Sequence, residues 1–334
     1  MNTIPLHQLP DGTFLRVLRN MDVHEQLAYS LCSKNAKKAI ELLDLKARYI
    51  SYKFSANIGV VIEFGNSQFM TYSLHDDFFP NNQLIASKDI TVYVGRSIGN
   101  REQWTWNLKN FEFEKWIHHF FEVLHHPRVD TIDFSGRSID DNFIESVQKV
   151  MIGLQIGCFS LYDLTDNFVE KALERFLNYE KLFLGRIPFG RDRLNKVLAQ
   201  NLTETCIAKA DTLEIDQVLL TNSKKIELFR SQYNEKDFNR FLKIWIRGSN
   251  PRLKHFSAWG QLENDSFDKN VILKGIQYNQ IPLDSKEVYR EYVTDNYECV
   301  ETKLAGGFRI QRCDGTTAVI VVTEEDNGFE FIVE

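Results

Sequence analysis

The spacing of hydrophobic residues changes near residue 48, and this change constrains the fold more than any other feature of the chain. Before it, apolar residues recur at helical spacing, as in Phe14, Leu15, Val17, Leu18 and Met21. After it come short segments rich in β-branched and aromatic residues, such as VVIEF and ITVYV. The sequence therefore predicts a small helical segment followed by a β-rich segment.

Three short helices are expected within residues 1–48. Asp22 and Glu25 have the spacing of a capping box at the start of the second helix. Ser33 is placed to cap the third helix. Because three helices of this size bury little surface by themselves, we expect their apolar side to need a partner.

Residues 49–110 are predicted to form strands, with a hairpin turn at Gly65-Asn66. Over residues 111–265 strand and helix should alternate, and steps of 23 to 31 residues between most candidate strands lie near the leucine-rich-repeat period. One step is only 13 residues. The candidate strands carry paired apolar residues: Ile132/Phe134, Phe159/Leu161, Leu182/Leu184, Leu213/Ile215, Ile226/Leu228 and Leu253/Phe256.

The clearest helix has Asn234 as its cap and an apolar stripe made of Phe238, Phe241, Leu242 and Trp245. Residues 266–334 are expected to form a linker and a β-hairpin that turns at Asp314-Gly315, with GFEFIVE as a candidate third strand. The predicted fold class is α+β or α/β. It comprises an N-terminal three-helix segment, then a degenerate leucine-rich-repeat-like strand–helix stack with flanking β-hairpins.

Charge and cysteine usage limit the function classes. The net charge of −6 argues against a general nucleic-acid binder. The cysteines form no C-x-x-C pair, which favours free thiols in a reducing compartment; they are Cys32, Cys158, Cys206, Cys299 and Cys313. With no secretory signal and no membrane-spanning apolar run, we expect an intracellular protein of the cytoplasm, the nucleus or both.

The candidate chemistry is weak. His118, Glu122 and His125 share one helical face, but their spacing is not H-E-x-x-H and a solvated polar face explains them. Opposite them we expect an apolar stripe of Phe113, Trp116, Ile117, Phe120 and Leu124. Asp76-Asp77 and Asp140-Asp141 have the character of turns and caps. No catalytic residue, cofactor or metal is expected, although a cryptic hydrolytic or metal site around His118 stays open as an alternative.

The tryptophans Trp104 and Trp106 alternate like one face of a strand. An exposed binding patch is one interpretation of this pair. Buried packing is the favoured one, because large aromatic side chains supply much of the apolar area of a core.

Residues 4–43 resemble an F-box, most clearly in Leu9-Pro10, in the helical set Phe14/Val17/Leu18, and in SLCSK at residues 30–34. Residues 219–258, ILKGIQY at 272–278 and the hairpin GGFRIQRCDGTTA are similar to the type 2 F-box-associated domain of nematode F-box proteins. Three positions depart from the usual F-box pattern: Gln26 stands where leucine is common, Ala36 where tryptophan is common, and Gly12 where an acidic residue is usual.

This resemblance implies a domain order of F-box (1–48), β-rich first part of the associated domain (49–110), strand–helix repeats (111–265), and C-terminal linker and hairpin (266–334). It implies a non-catalytic adaptor of an SCF-type ubiquitin ligase. The F-box would dock a Skp-type protein, and through it a cullin–RING scaffold, while the 111–265 region would hold a target protein. The alternative, motivated by Gln26 and Ala36, is an F-box scaffold without degradation activity.

The expected Skp-type contact set combines the residues that carry the F-box resemblance with the end of the second helix. Several of its members are also expected in the small internal core, because short helices need their own packing. The set is Leu9, Pro10, Phe14, Val17, Leu18, Leu31 and Cys32.

Overall fold

A computed structural model describes residues 6–55, 58–65, 69–74, 89–97, 100–107, 113–136, 141–188, 190–260, 267–283, 288–293, 299–304, 306–323 and 328–334. The chain forms two compact units. Unit 1 comprises residues 1–160 and 167–179, and unit 2 comprises residues 161–166 and 180–334. Helices and strands are mixed in both units, which agrees with the α+β class expected from the sequence.

Unit 1 begins with a short 3-10 turn, Leu6–Gln8, and three helices that confirm the predicted helical start. The helices of this unit are α1 (Asp11–Asn20), α2 (Val23–Ser30), α3 (Lys34–Glu41), α4 (Phe113–Leu124), α5 (Asp141–Met151) and α6 (Asp166–Arg175). Its strands are β1 (Ala47–Phe54), β2 (Ile58–Phe64), β3 (Phe69–Leu74), β4 (Asp89–Ser97), β5 (Asn100–Asn107), β6 (Val129–Ser135) and β7 (Ile156–Tyr162), the last of which ends in residues of unit 2.

The strands of unit 1 lie in the order β7-β6-β1-β2-β3-β4-β5. β1 to β5 form an antiparallel meander, and β1 also pairs with β6 in parallel. The predicted hairpin between β2 and β3 is present, although Asn66 in its turn lies outside the described residues. Successive β-branched and aromatic residues alternate between faces, so one face is apolar and packs against the helices.

Aromatic rings fill the core of unit 1. Phe54 and Phe134, from neighbouring strands, stack with centroids 5.0 Å apart. On the same sheet, Tyr72 contacts Phe120 of α4 at 4.9 Å, and Trp116 is 1% exposed. Four residues of the stripe predicted for α4, Trp116, Ile117, Phe120 and Leu124, are therefore buried as their helical spacing requires, and the side chain of Phe113 lies outside the described residues.

Unit 2 contains four helices among the described residues: α7 (Arg191–Leu198), α8 (Ile215–Leu220), α9 (Glu235–Ile246) and α10 (Lys269–Ile272). Its strands are β8 (Tyr179–Leu184), β9 (Glu204–Ile207), β10 (Lys225–Leu228), β11 (His255–Trp259), β12 (Asn279–Ile281), β13 (Val288–Val293), β14 (Cys299–Leu304), β15 (Gly307–Gln311), β16 (Thr317–Thr323) and β17 (Gly328–Val333).

The main sheet of unit 2 has the strand order β12-β15-β16-β17-β11-β10-β9-β8. β8 to β11 are parallel and are joined by helices, whereas β11, β17, β16, β15 and β12 pair antiparallel. The hairpin at Asp314-Gly315 is confirmed, with Gly315 at a φ of 90°, and GFEFIVE forms the predicted third strand. β13 and β14 pair with each other in a separate two-stranded sheet.

Helix α9 confirms the clearest helix prediction. The Asn234 side chain accepts hydrogen bonds from the backbone N–H groups of Lys236 and Asp237, which caps the helix. All four residues of the predicted stripe are buried, and Phe238 stacks on Phe329 with centroids 4.1 Å apart. The stripe thereby covers the helix-facing side of β11 and β17.

One strand prediction is wrong. Leu213 lies in a loop and Ile215 begins α8, so this pair forms no strand. The strand of this repeat is β9 (Glu204–Ile207). Because it is short and begins with polar residues, a search for paired apolar residues does not find it. With β9 in place, the irregular step of 13 residues disappears.

No helix among the described residues is long and apolar enough to cross a bilayer.

Candidate functional site

The α1–α3 segment owes its form to local capping signals in the sequence. The Glu25 carboxylate accepts a hydrogen bond from the Asp22 backbone N–H at 3.0 Å, as the capping box predicts. The Ser33 hydroxyl accepts one from the Ala36 N–H at 3.1 Å. Short helices with defined starts can pack closely, and the segment has its own core of Leu18, Leu27, Ala36, Ala39 and Ile40.

Gln26 belongs to this core and is 4% exposed. Its Nε2 group donates to the carbonyl oxygen of Leu18 at 2.8 Å and to that of Met21 at 2.9 Å. These carbonyls lie at the end of α1, where a helix leaves carbonyl groups without helical partners. The glutamine that stands in place of the usual leucine therefore fastens α1 to α2.

The inner side of the segment packs against α4 and β5 of the same unit. The Ser30 hydroxyl lies 2.7 Å from His119 Nε2, and the Lys37 ammonium pairs with the Glu122 carboxylate. His24 lies against the Trp104 ring, with centroids 5.2 Å apart. The apolar side predicted to need a partner is therefore partly covered by the chain itself.

His119 corrects the expectation that the α4 histidines lie on the solvated face. It is 6% exposed, and burial, together with the nearby Lys37 charge, lowers the pKa of His119 to about 4. The imidazole is therefore neutral at physiological pH, so it bonds to Ser30 without the cost of burying a charge.

The outer side of the α1–α3 segment carries most of the predicted Skp-type contact residues. Pro10, Val17 and Cys32 are exposed, and Val17 retains 36% of its accessible surface. Leu9 and Phe14 are half-buried. Two residues of the set are not part of this outer face: Leu31 is half-buried and lines a groove beside α4 together with Lys115 and His118, and Leu18 is fully buried in the internal core.

The polar face of α4 does not assemble a metal site. His118 is exposed, Glu122 is bound to Lys37, and His125 Nε2 lies 3.1 Å from the Glu41 carbonyl oxygen. Within the described ranges no group of three metal-ligating side chains comes together. Of the carboxylate pairs, Asp76, Asp77 and Asp140 lie outside the described residues, and Asp141 begins α5.

Trp104 corrects a second expectation. It is 45% exposed on β5 rather than buried, although its ring contacts that of His24. The side chain of Trp106 lies outside the described residues.

A second polar surface lies on the parallel strands of unit 2, on the face opposite the helices. Ile226 and Leu228 of β10 are buried towards the helices, so Lys225 and Glu227 point the other way. Lys225 Nζ lies 3.1 Å from Glu204 and 3.0 Å from Glu227, and Lys181 Nζ lies 2.9 Å from Glu204. This network was not predicted, since it joins three strands that are distant in sequence.

Electrostatics hold the network in its charged form. Burial alone would raise the pKa of Glu204, but the ammonium groups of Lys225 and Lys181 outweigh it and lower that pKa. Burial alone would lower the pKa of Lys225, and the carboxylates of Glu204 and Glu227 reverse this and raise it. The face therefore carries two lysine and two glutamate charges that satisfy one another.

Comparisons with known proteins agree with this architecture. The F-box domain family matches residues 6–48, and the F-box associated family matches residues 193–258. The chain is 23% identical over 326 residues to the F-box associated domain-containing protein sdz-33 of Caenorhabditis elegans, covering 95% of this chain and 93% of that protein. No solved structure matches the chain.

The three-helix segment at the start lies within the residues that match the F-box family, and part of unit 2 matches the F-box associated family. The resemblance seen in the sequence, to nematode F-box proteins that carry an F-box-associated domain, is confirmed by these two family matches. The α1–α3 segment is hereafter called the F-box.

Proposed function

We propose that this chain is the substrate-recognition subunit of an SCF-type ubiquitin ligase. Its F-box docks a Skp-type protein, which links it to a cullin–RING scaffold, and the 111–265 region holds a target protein. The chain acts inside the cell and supplies no reacting group. It raises the effective concentration of target lysines near the ubiquitin-loaded enzyme.

The observation that carries this proposal is that the F-box is buried on its inner side and exposed on its outer side. Its inner side packs against α4 and β5, whereas its outer side leaves Pro10, Val17 and Cys32 exposed beside the half-buried Leu9 and Phe14. Exposed apolar residues grouped on one side of a domain are typical of a protein interface. The proposed contact set is therefore Leu9, Pro10, Phe14, Val17 and Cys32, and it extends to Leu31, which lines the groove beside α4.

The alternative function, a scaffold that does not promote degradation, was motivated by Gln26 and Ala36. Both residues are buried within the F-box, at 4% and 3% exposure. Their departures from the usual pattern therefore alter internal packing and not the outer face. This removes the main physical reason to favour the scaffold over the adaptor.

Target binding rests on the second part of the chain. In unit 2 the strand–helix units from β8 to β11 present one strand face without the helices, and successive units of this kind can build an extended binding surface. We propose that this region forms a degenerate leucine-rich-repeat-like surface for the target.

The docking step is tested with the full chain and a purified Skp-type protein. We expect the wild-type chain to co-purify with it and Val17→Asp to lose binding while keeping its thermal stability, because Val17 is partly exposed. Ile152→Asp is the matched control, since Ile152 is 73% exposed and lies in the turn after α5, outside the F-box. A wild-type chain that does not bind the Skp-type protein would refute the docking step.

A reconstituted ligase separates the adaptor from the scaffold. With cullin–RING, ubiquitin-activating and ubiquitin-conjugating enzymes present, the adaptor should direct ubiquitin transfer, at minimum to lysines of its own chain. A complex that assembles fully and transfers no ubiquitin above the level without this chain would favour the scaffold.

A further inference from the structure

Two aromatic rings meet where β10 and β11 end in unit 2. Phe229 and Trp259 stack with centroids 4.7 Å apart and an interplanar angle of 10°. The Ser231 backbone N–H donates to the Trp259 carbonyl oxygen at 2.9 Å, which holds the two strand ends together. Phe229 nevertheless remains 39% exposed, so the pair presents an apolar surface to solvent.

Two cations flank this aromatic pair. Arg230 directly follows Phe229, and Lys209 lies in the loop after β9, which the Ala210 N–H anchors to the Phe229 carbonyl oxygen at 2.9 Å. Both side chains belong to exposed residues, and neither forms an ion pair within the part of the chain that the structure describes. Asp211 is exposed in the same loop and pairs with neither cation there.

The backbone of Arg230 is held in an unfavourable conformation. Its φ is 55°, in the left-handed region that costs a residue with a side chain more than it costs glycine. Residues strained in this way cluster at active sites and ligand-binding positions. The conformation places the guanidinium-bearing residue immediately beside the exposed aromatic pair.

The neighbouring strand face does not oppose an acidic ligand. The carboxylates of Glu204 and Glu227 are bound to Lys225, and Glu204 is also bound to Lys181. Because these acids are neutralised in place, the charges left at the strand ends are those of Arg230, Lys209 and Asp211, and the two cations outnumber the one carboxylate.

We propose that Phe229, Trp259, Arg230 and Lys209 form the docking point for an acidic linear segment of the target protein. An apolar side chain of that segment packs on the aromatic pair, and carboxylates on either side of it pair with Arg230 and Lys209. This rests on the proposed function, of which it names the recognition surface and the chemistry of the partner.

The test is a selection from a random 12-residue peptide library displayed on phage, with the immobilised full chain as bait. We expect the enriched peptides to carry aspartate or glutamate next to a leucine or an aromatic residue. Synthetic versions of these peptides should bind Arg230→Glu, Lys209→Glu and Phe229→Ala at least about tenfold more weakly than the wild type. Lys254→Glu, which reverses an exposed charge just before the amino end of β11, should bind them as the wild type does.

Arg230→Gly gives a second readout that does not depend on charge reversal. Glycine relieves the left-handed backbone, so this variant should keep or raise the melting temperature while it loses peptide affinity. A loss of affinity without a loss of stability separates a binding role from a structural one.

Three results would overturn the proposal: enrichment of basic or uncharged peptides, binding that Arg230→Glu leaves unchanged, or no enrichment over a bait-free surface. Each is independent of Skp-type binding, which depends on the F-box. A chain that binds a Skp-type protein but selects no acidic peptide keeps the proposed function and loses this docking point.

Discussion

Nε2 of His119 in α4 lies 2.7 Å from the hydroxyl oxygen of Ser30 at the end of α2, and both groups are buried. This bond joins the F-box to the body of unit 1. The Lys37–Glu122 ion pair and the contact of His125 with the Glu41 carbonyl support it. The F-box is therefore a fixed part of unit 1, and only its outer side is left for another subunit.

The pH dependence of stability should reveal this contact. Burial lowers the pKa of His119 from 6.5 to about 4, so the unfolded chain binds a proton there at higher pH than the folded chain. Stability is fully present above about pH 6.5 and falls by about 3 kcal/mol as the pH drops towards 4. In urea unfolding, His119→Gln should lose stability at pH 7.5 but show a smaller decrease than the wild type on acidification.

The neighbouring His118 provides the control for this experiment. It is exposed on the same helix, so His118→Gln should follow the wild-type pH profile. Identical profiles for the wild type and His119→Gln would show that His119 is not buried against Ser30.

Gln26 should contribute measurably to the stability of the F-box. Gln26→Ala removes the donor that serves two carbonyl groups at the end of α1, and one unsatisfied buried bond costs about 1–3 kcal/mol. Chemical denaturation of the full chain measures this loss. Gln103→Ala, at an exposed position of β5, should change the free energy of unfolding by less than about 0.5 kcal/mol.

The predictable part of the fold came from local signals. The helix caps at Asp22, Ser33 and Asn234 and the turn at Asp314-Gly315 each depend on a few adjacent residues, and each is present. β9 was missed because it is four residues long and begins with Glu204, whose charge is satisfied only by lysines on the neighbouring strands.

A signal for β9 was nevertheless present in the turns. Asn201, Asn222 and Asn250 stand shortly before β9, β10 and β11. Asn222 Nδ2 donates to Asn201 Oδ1 at 2.5 Å, and Asn250 donates to the Thr221 carbonyl oxygen at 3.0 Å. Aligning the repeats on these asparagines would have placed a strand at 204–207.

The sequence predicted which apolar residues belong to the candidate site. It did not predict which of them are exposed on the surface. Val17 and Leu18 are adjacent apolar residues of one helix, yet one is 36% exposed and the other is fully buried. Which face of α1 is buried, and how far Trp104 and His119 are exposed, depends on how the F-box packs on the rest of unit 1. Contacts between residues so distant in sequence leave no local pattern.

Lys225 and Lys181 should differ in their contribution to stability although both pair with Glu204. The Lys225 side chain is 19% exposed and bridges two carboxylates, whereas that of Lys181 is 44% exposed. Lys225→Met leaves partly buried carboxylates without their main counter-charge and should cost about 3 kcal/mol. Lys181→Met should cost less than about 1 kcal/mol, as is usual for exposed pairs.

The comparison is made by denaturant unfolding at pH 7. Lys225→Met should also lose less stability than the wild type as the pH falls, because removal of the Lys225 charge raises the pKa of Glu204 in the folded chain. Equal losses in the two variants would show that the network does not distinguish the two lysines.

Two glycine substitutions should shift stability in opposite directions. A Cβ atom at Gly157 of β7 would lie 2.6 Å from the Asp130 carbonyl oxygen of the adjacent strand, and backbone cannot move aside easily. Gly157→Ala should therefore destabilise the chain by about 1–3 kcal/mol.

At Gly12 of α1 a Cβ atom meets nothing within 4 Å, and Gly12→Ala should stabilise the helix by up to about 1 kcal/mol. Melting temperatures of the two variants measure both effects, and a stable Gly157→Ala would contradict the close approach of β6 and β7.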